Sequence, residues 1–410
     1  MEHNWAGNVE YRAATVHRPT TVDELRDVVV GSRRIHVVGT RHSFNEIADA
    51  EHLISLDALP DDVAFDPATR TVELNPAMTY GRLAPMLRAR GLALHNLASL
   101  PHISIGGAIA TGTHGSGDRL GNLATAVSAL DILRSDGEVM HLERGDTDFD
   151  GAVVGLGALG AVLRVRLDVE PEYHIAQHVY EGLAWEELAR RFGEITAAGY
   201  SVSLFTTWGA HIDQVWVKQR LPTESGATLP GARPATVDVH PIAGVSAENC
   251  TSQLGVPGLW SDRLSHFKMG FTPSRGDELQ SELLLPRQSA LDAIEIVRGL
   301  SNEIAPHLLV SEIRTVAADE LWMSPQYRRD TVAFHFTWRP HAAEVTRLVT
   351  CLETALAAFE PRPHWGKIFT VDGTTLVHRY LRHADFIDLV DRCDPRGAFR
   401  NSWLERHVLT

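Results

Sequence analysis

An α+β fold in two domains is what this sequence predicts, and three observations lead there. At 410 residues the chain can bury more than one core. A strand pattern over 161–169 stops at Glu170-Pro171. Beyond it, from 172 to 367, the texture changes to strand-like segments alternating with loops and two clear helices. The boundary is therefore placed at 171, giving domains 1–171 and 172–367 and a C-terminal segment 368–410 that returns to their junction.

Each element has its own signal. Thr21 and Glu24 form a capping box ahead of Leu25, Val28 and Val29, the apolar stripe of a helix. Ile35–Val38 is an apolar run of strand length, and Thr71–Leu74 reads as another strand. Tyr80 to Arg90 reads as a helix stopped by Gly91. Ala124–Leu133 and Val139–Leu142 flank Ser135-Asp136-Gly137, a hairpin signal. Over 161–169 the odd positions are apolar and most even ones charged, as in a strand with one wet face. Gln214–Lys218 is strand-like, and Thr223 to Ala243 is a Pro- and Gly-rich loop. Helices are expected from Gln288 to Leu300 and through Val345, Leu348, Val349, Leu352, Leu356 and Phe359, with a short one at Ala384–Leu389.

Composition narrows the function. The chain is 44% apolar and 22% charged, as ordinary globular proteins are. A net charge of −14 with no basic block argues against nucleic acid as a partner. Three scattered cysteines, with no CxxC or HExxH, suggest neither a disulfide framework nor a metal centre. No signal peptide or membrane span is visible, so a cytoplasmic monomer is the expectation. Asn249-Cys250-Thr251 fits a glycosylation sequon by chance.

The chemistry begins at Gly39-Thr40-Arg41-His42-Ser43-Phe44-Asn45, which follows the first strand. A second small-residue stretch runs from Ser99 through Ser104, Gly106 and Gly107 to Thr111-Gly112-Thr113-His114. Two such loops, each with a histidine, suit one large anionic cofactor, because backbone N–H groups can approach a pyrophosphate closely there. Neither a phosphate-binding GxxxxGK[ST] nor a GxGxxG bridging strand and helix is present.

Three further segments carry polar groups where an apolar sheet is expected. Leu309–Val316 puts Glu312 and Arg314 on one face, and Val332–Trp338 puts His335 and Thr337 opposite Phe334, Phe336 and Trp338. His364–Phe369 presents Lys367 among aromatic neighbours. The alternation alone fits a solvated face with a surface ion pair. If these strands lie side by side, it fits a charged pocket for a polyhydroxylated ligand.

The same residues carry a family resemblance. GTRHSFNEIAD (39–49), NLASLPHISIGGAIATGTHGSG (96–117), LGALGAV (156–162), SEIRTVAAD (311–319), HFTW (335–338), RPHWGKIFTV (362–371) and DPRGAFRN (394–401) resemble the alditol (xylitol) oxidases, members of the vanillyl-alcohol-oxidase class of FAD proteins. The resemblance covers nearly the whole chain. It implies an N-terminal FAD domain and a substrate domain with a large antiparallel sheet flanked by helices. It implies FAD bound covalently through His42, with further contacts from Gly39, Thr40, Arg41, Ser43, Phe44, Asn45, Ser99, Ser104, Gly107, Thr111, Gly112, Thr113, His114 and Val162. It implies oxidation of a polyol by O2 to aldose and H2O2, with substrate held by Ser99, Glu312, Arg314, Thr337 and Lys367. His335, paired with Glu312, is assigned as proton acceptor, and Arg314 and Lys367 as electrostatic stabilisers. One position departs from the pattern: Thr40-Arg41 stands where the loop more often has Ser-Gly, so a positive φ at Arg41 would strain it. The neighbouring readings are an aldonolactone oxidase or dehydrogenase and a sugar-binding protein without redox function.

Overall fold

A computed structural model describes residues 3–222, 229–270 and 278–410. The described N-terminal part contains two larger sheets and a two-stranded ribbon of Leu92–Ala93 with Glu170–Pro171. Three short parallel strands lie in the order Thr15–His17, His52–Ile54, Ile35–Val37. Helix Val22–Gly31 covers them, burying Leu25 and Val29 with Ile35 and Ile54. Thr21 Oγ1 caps this helix by accepting from Glu24 N at 3.1 Å. The Glu24 carboxylate accepts from Thr20 N instead of Thr21 N, so the expected box is displaced by one residue.

The second sheet is antiparallel, in the order Ala64–Asp66, Thr71–Leu74, Ala161–Asp168, Val127–Leu133, Val139–Glu143. Ala161, Val165 and Leu167 point into its core, while Arg166 on the wet face meets Glu143 at 2.9 Å. Residues 124–126 were expected within a strand but belong to the 3-10 turn Leu123–Ala126. Asn122 Oδ1 accepts from Ala124 N and caps it, so the strand starts at Val127. Helix Tyr80–Arg88 ends just before Gly91, whose φ is +67°.

A nine-stranded antiparallel sheet occupies 174–363. Its central run is His174–Ala184, His211–Leu221, Ser201–Thr206, Leu308–Val316, Thr331–Trp338, Leu279–Pro286. Helices Ala290–Gly299 and Ala342–Ala355 contribute to the apolar core on one face, where Leu204, Ile313, Phe334 and Leu283 are buried. Part of the expected loop, residues 223–228, lies outside the described residues; Arg233–Pro234 adds a short edge strand against Tyr180 and Glu181.

His364–Phe369 was expected as a strand and is instead a turn after the two-residue strand Arg362–Pro363. Lys367 N donates to His364 O and Gly366 N to His364 Nδ1, which closes it. The tail forms helices Gly373–Val377, His383–Cys393 and Ser402–His407. Its Leu376, Phe386, Leu389 and Trp403 share a core with Val72, Leu74, Leu83 and Ile132, and Ala398 O accepts from Ile35 N at 2.8 Å. Among the described residues no helix is long and apolar enough to cross a membrane.

Candidate active site

Strand register builds the site. Glu282, His335 and Glu312 are direct partners across three adjacent strands, so they form a row on the sheet face opposite the helices. Two residues along, Gln280 and Thr337 form a parallel row, and Arg314 lies two residues from Glu312 on the same face. All but the half-buried Gln280 are buried, yet they line a cavity of about 710 Å3.

The two small-residue loops line the same cavity. Ser104 N donates to Thr40 Oγ1 at 3.1 Å, which ties one loop to the other. A Cβ on Gly39 would run into Ser104 Oγ, so any other residue there would make the Ser104 hydroxyl turn away. Arg41 has φ +60°, the left-handed region, and its carbonyl accepts from Trp5 N. Trp5 stacks on the His42 ring with centroids 5.2 Å apart. Burial, then the neighbouring His102, pushes the His42 imidazole down to about 4, so it is neutral near pH 7.

The loops also hold the far end of the chain. Phe44 N donates to Gly366 O at 2.7 Å, and Asn45 Nδ2 donates to Trp365 O and Lys367 O, both at 2.8 Å. Lys367 thus reaches the cavity from a turn clamped by the first loop. Gly39, Thr40, Arg41, His42, Ser43, Phe44, Ser99, Ser104, Gly107, Thr111, Thr113, His114 and Val162 line the cavity. Asn45 and Gly112 do not: Asn45 braces the turn, and Gly112, at φ +63°, makes the bend before Thr113.

Charge is concentrated around Glu282, which the sequence reading missed. Its carboxylate accepts from Arg314 Nη2 at 2.6 Å and Lys367 Nζ at 2.7 Å, and His114 Nε2 lies 3.3 Å away. Burial alone would raise this carboxyl, but Lys367 and Arg314 outweigh it and hold it well below the usual range. Arg314 Nε is 3.6 Å from Glu312 Oε2. Burial lowers the Lys367 ammonium while Glu282 opposes that shift. Burial and then Lys367 push His335 down to about 3.

The expected His335–Glu312 pair does not form as a hydrogen bond. His335 Nδ1 meets Lys367 Nζ at 2.8 Å and Nε2 meets Thr337 Oγ1 at 3.1 Å, whereas Glu312 Oε1 takes His266 Nε2 at 2.8 Å. The nearer carboxylate is Glu282, at 3.9 Å from His335 Nδ1. Neighbouring groups compete for partners: Arg314 and Lys367 take Glu282, and His266 takes Glu312. Glu282 had a findable signal, since Gln280 and Glu282 interrupt an apolar run with the same alternation as Glu312 and Arg314. His266 sits in a loop, where no periodicity could mark it.

The FAD binding domain family model matches residues 13–143, and that of D-arabinono-1,4-lactone oxidase matches residues 277–407. The alditol oxidase of a Streptomyces species is 50% identical over 406 residues, 98% of this chain and 97% of that protein. The L-gulonolactone oxidase of Mus musculus is 26% identical over 435 residues, again 98% and 97%. Among solved structures, cholesterol oxidase from B. sterolicum matches with a TM-score of 0.80, covering 98% of this chain and 95% of that one. At 14% identity that likeness concerns the fold alone.

Proposed function

This chain belongs to the alditol oxidase family of FAD-dependent oxidoreductases, and on that premise we propose that it oxidises the terminal CH2OH of linear polyols such as xylitol and sorbitol to the aldose, with O2 reduced to H2O2. The observation that carries this reading is the charged row Glu282–His335–Glu312, with Arg314, Thr337 and Lys367 beside it, facing the two glycine loops across one cavity. Each hydroxyl of a polyol needs a donor and an acceptor, and this face offers both.

The residues fit FAD. Two small-residue loops leave backbone exposed to a long anionic ligand. His42 Nδ1 is buried without a hydrogen-bond partner, as a nitrogen reserved for a ligand would be. Its neutral imidazole keeps a lone pair available, which supports His42 as the covalent attachment point. Bound FAD supplies the hydride acceptor and passes the electron pair to O2.

The chain's own residues handle the proton. With Lys367 unprotonated, His335 Nδ1–H donates to Lys367 Nζ, and the Nε2 lone pair exchanges the Thr337 hydroxyl for the substrate hydroxyl whose proton it takes. The Nδ1 proton passes to Lys367, whose new ammonium meets Glu282 at 2.7 Å. Arg314 stabilises the developing alkoxide, while Thr337 and Ser99 position hydroxyls. The test is anaerobic mixing of the purified yellow protein with xylitol and, separately, with an aldonolactone. Bleaching by xylitol is expected. Bleaching by lactone alone would move the chain to the lactone oxidases, and protein purified without flavin would fit a sugar-binding protein.

A further inference from the structure

We infer that Lys218 and His266 form a buried positioning pair that fixes Glu312 as a hydroxyl acceptor of the pocket, an inference that rests on the polyol reading above. Lys218 lies in strand His211–Leu221, two strands from Glu312, and is 1% exposed. It sits behind His266, outside the cavity lining. Its ammonium donates to Leu264 O, to Ser265 O at 3.3 Å and to His266 Nδ1 at 3.2 Å. A lysine this deep with no carboxylate in hydrogen-bond reach is costly unless it performs a task.

The task follows from donor counting. A charged lysine has three donors and no acceptor, so His266 Nδ1 must accept. Burial and the adjacent Lys218 keep the His266 imidazole neutral, at about 4. Its single proton then sits on Nε2 and is donated to Glu312 Oε1 at 2.8 Å. Glu312 is thereby turned and held with lone pairs left for a substrate hydroxyl. If Lys218 loses its proton, the imidazole can carry its own on Nδ1, and a bare Nε2 lone pair faces the carboxylate. The titratable and charged groups around Lys218 are His266, Glu312, Arg314 and Cys250. Burial lowers the lysine to about 7, with Glu312 opposing that shift, so the exchange falls in the working pH range.

The experiment is steady-state kinetics of the FAD-loaded enzyme with xylitol from about pH 6 to about pH 9, spanning this transition. Wild-type KM should rise on the order of tenfold through the transition, as expected when a charged hydrogen bond is lost. Lys218→Met should show the raised KM throughout, with kcat and flavin content near wild type. In His266→Gln the side-chain amide donates to Glu312 whatever the charge on Lys218, so KM should stay low and lose the pH step. A merely structural lysine would not move that step. Wild-type KM in Lys218→Met at every pH overturns the pair. If that variant does not load FAD, a His266→Gln profile identical to wild type overturns it instead. Wild-type enzyme inactive on alditols would sink the polyol reading, and the pair's role with it.

Discussion

Lys367 joins groups that the sequence keeps far apart: its ammonium meets Glu282 and His335 at once while its backbone is held by Asn45. Lys367→Ala removes the proton's destination and the charge beside the alkoxide. Anaerobic stopped-flow reduction by xylitol should slow by ~100-fold or more, with flavin content intact. A near-wild-type rate would remove Lys367 from the site. His42 carries a separate expectation. Acid-precipitated wild-type protein should keep its yellow colour in the pellet, while His42→Ala should release its flavin or lack it. Colour released wholly from the wild type would refute covalent attachment and leave FAD binding standing. Glu312, Arg314, His335 and Thr337 were legible because polar residues two apart in an apolar strand must share a face. Their hydrogen-bond partners were not, since alternation cannot say which neighbour wins a carboxylate.

The decisive elements are the two loops, and their closeness depends on Gly39. A methyl group there meets Ser104 Oγ, so Gly39→Ala should turn the Ser104 hydroxyl away and crowd the cavity beside the Thr40–Ser104 bond. The expected result is protein that folds yet purifies with much less FAD, measured as the ratio of flavin to protein absorbance. Full flavin occupancy would show that the loops have slack. The neighbouring Arg41 accepts a left-handed backbone without being glycine, a conformation that the departure from Ser-Gly had made testable. The strands around Glu312 and His335 were readable from period two, but the turn at 364–369 was not. Its apolar and aromatic residues imitate a strand, and the turn that His364 closes is held by bonds to a residue more than 300 positions earlier.

For the molecule as a whole, several histidines are buried in neutral form. Burial lowers His36 to about 4, as it does His266, and His335 goes to about 3, all from an ordinary value of 6.5. Between pH ~6.5 and ~4 the unfolded chain therefore binds protons that the folded chain refuses. Stability is present above that window and is lost as pH falls through it, by up to roughly 1.4 kcal/mol per pH unit for each histidine. Urea midpoints should drop steadily from pH ~6.5 to ~5, and unchanged midpoints would contradict the buried neutral assignment. The two-domain plan was legible in length and texture, and the tail was expected back at the domain junction, but not which residues it would cover, because nothing local says where an amphipathic helix will dock. That path has a temporal meaning. Phe399 is fully buried with Leu25 and Ile35, and Ala398 receives the hydrogen bond of Ile35. A ribosome has thus made more than 360 further residues before the strand Ile35–Val37 finds this partner. The nascent N-terminal half must wait with an apolar surface uncovered, and a fragment cut near residue 171 should be insoluble for the same reason.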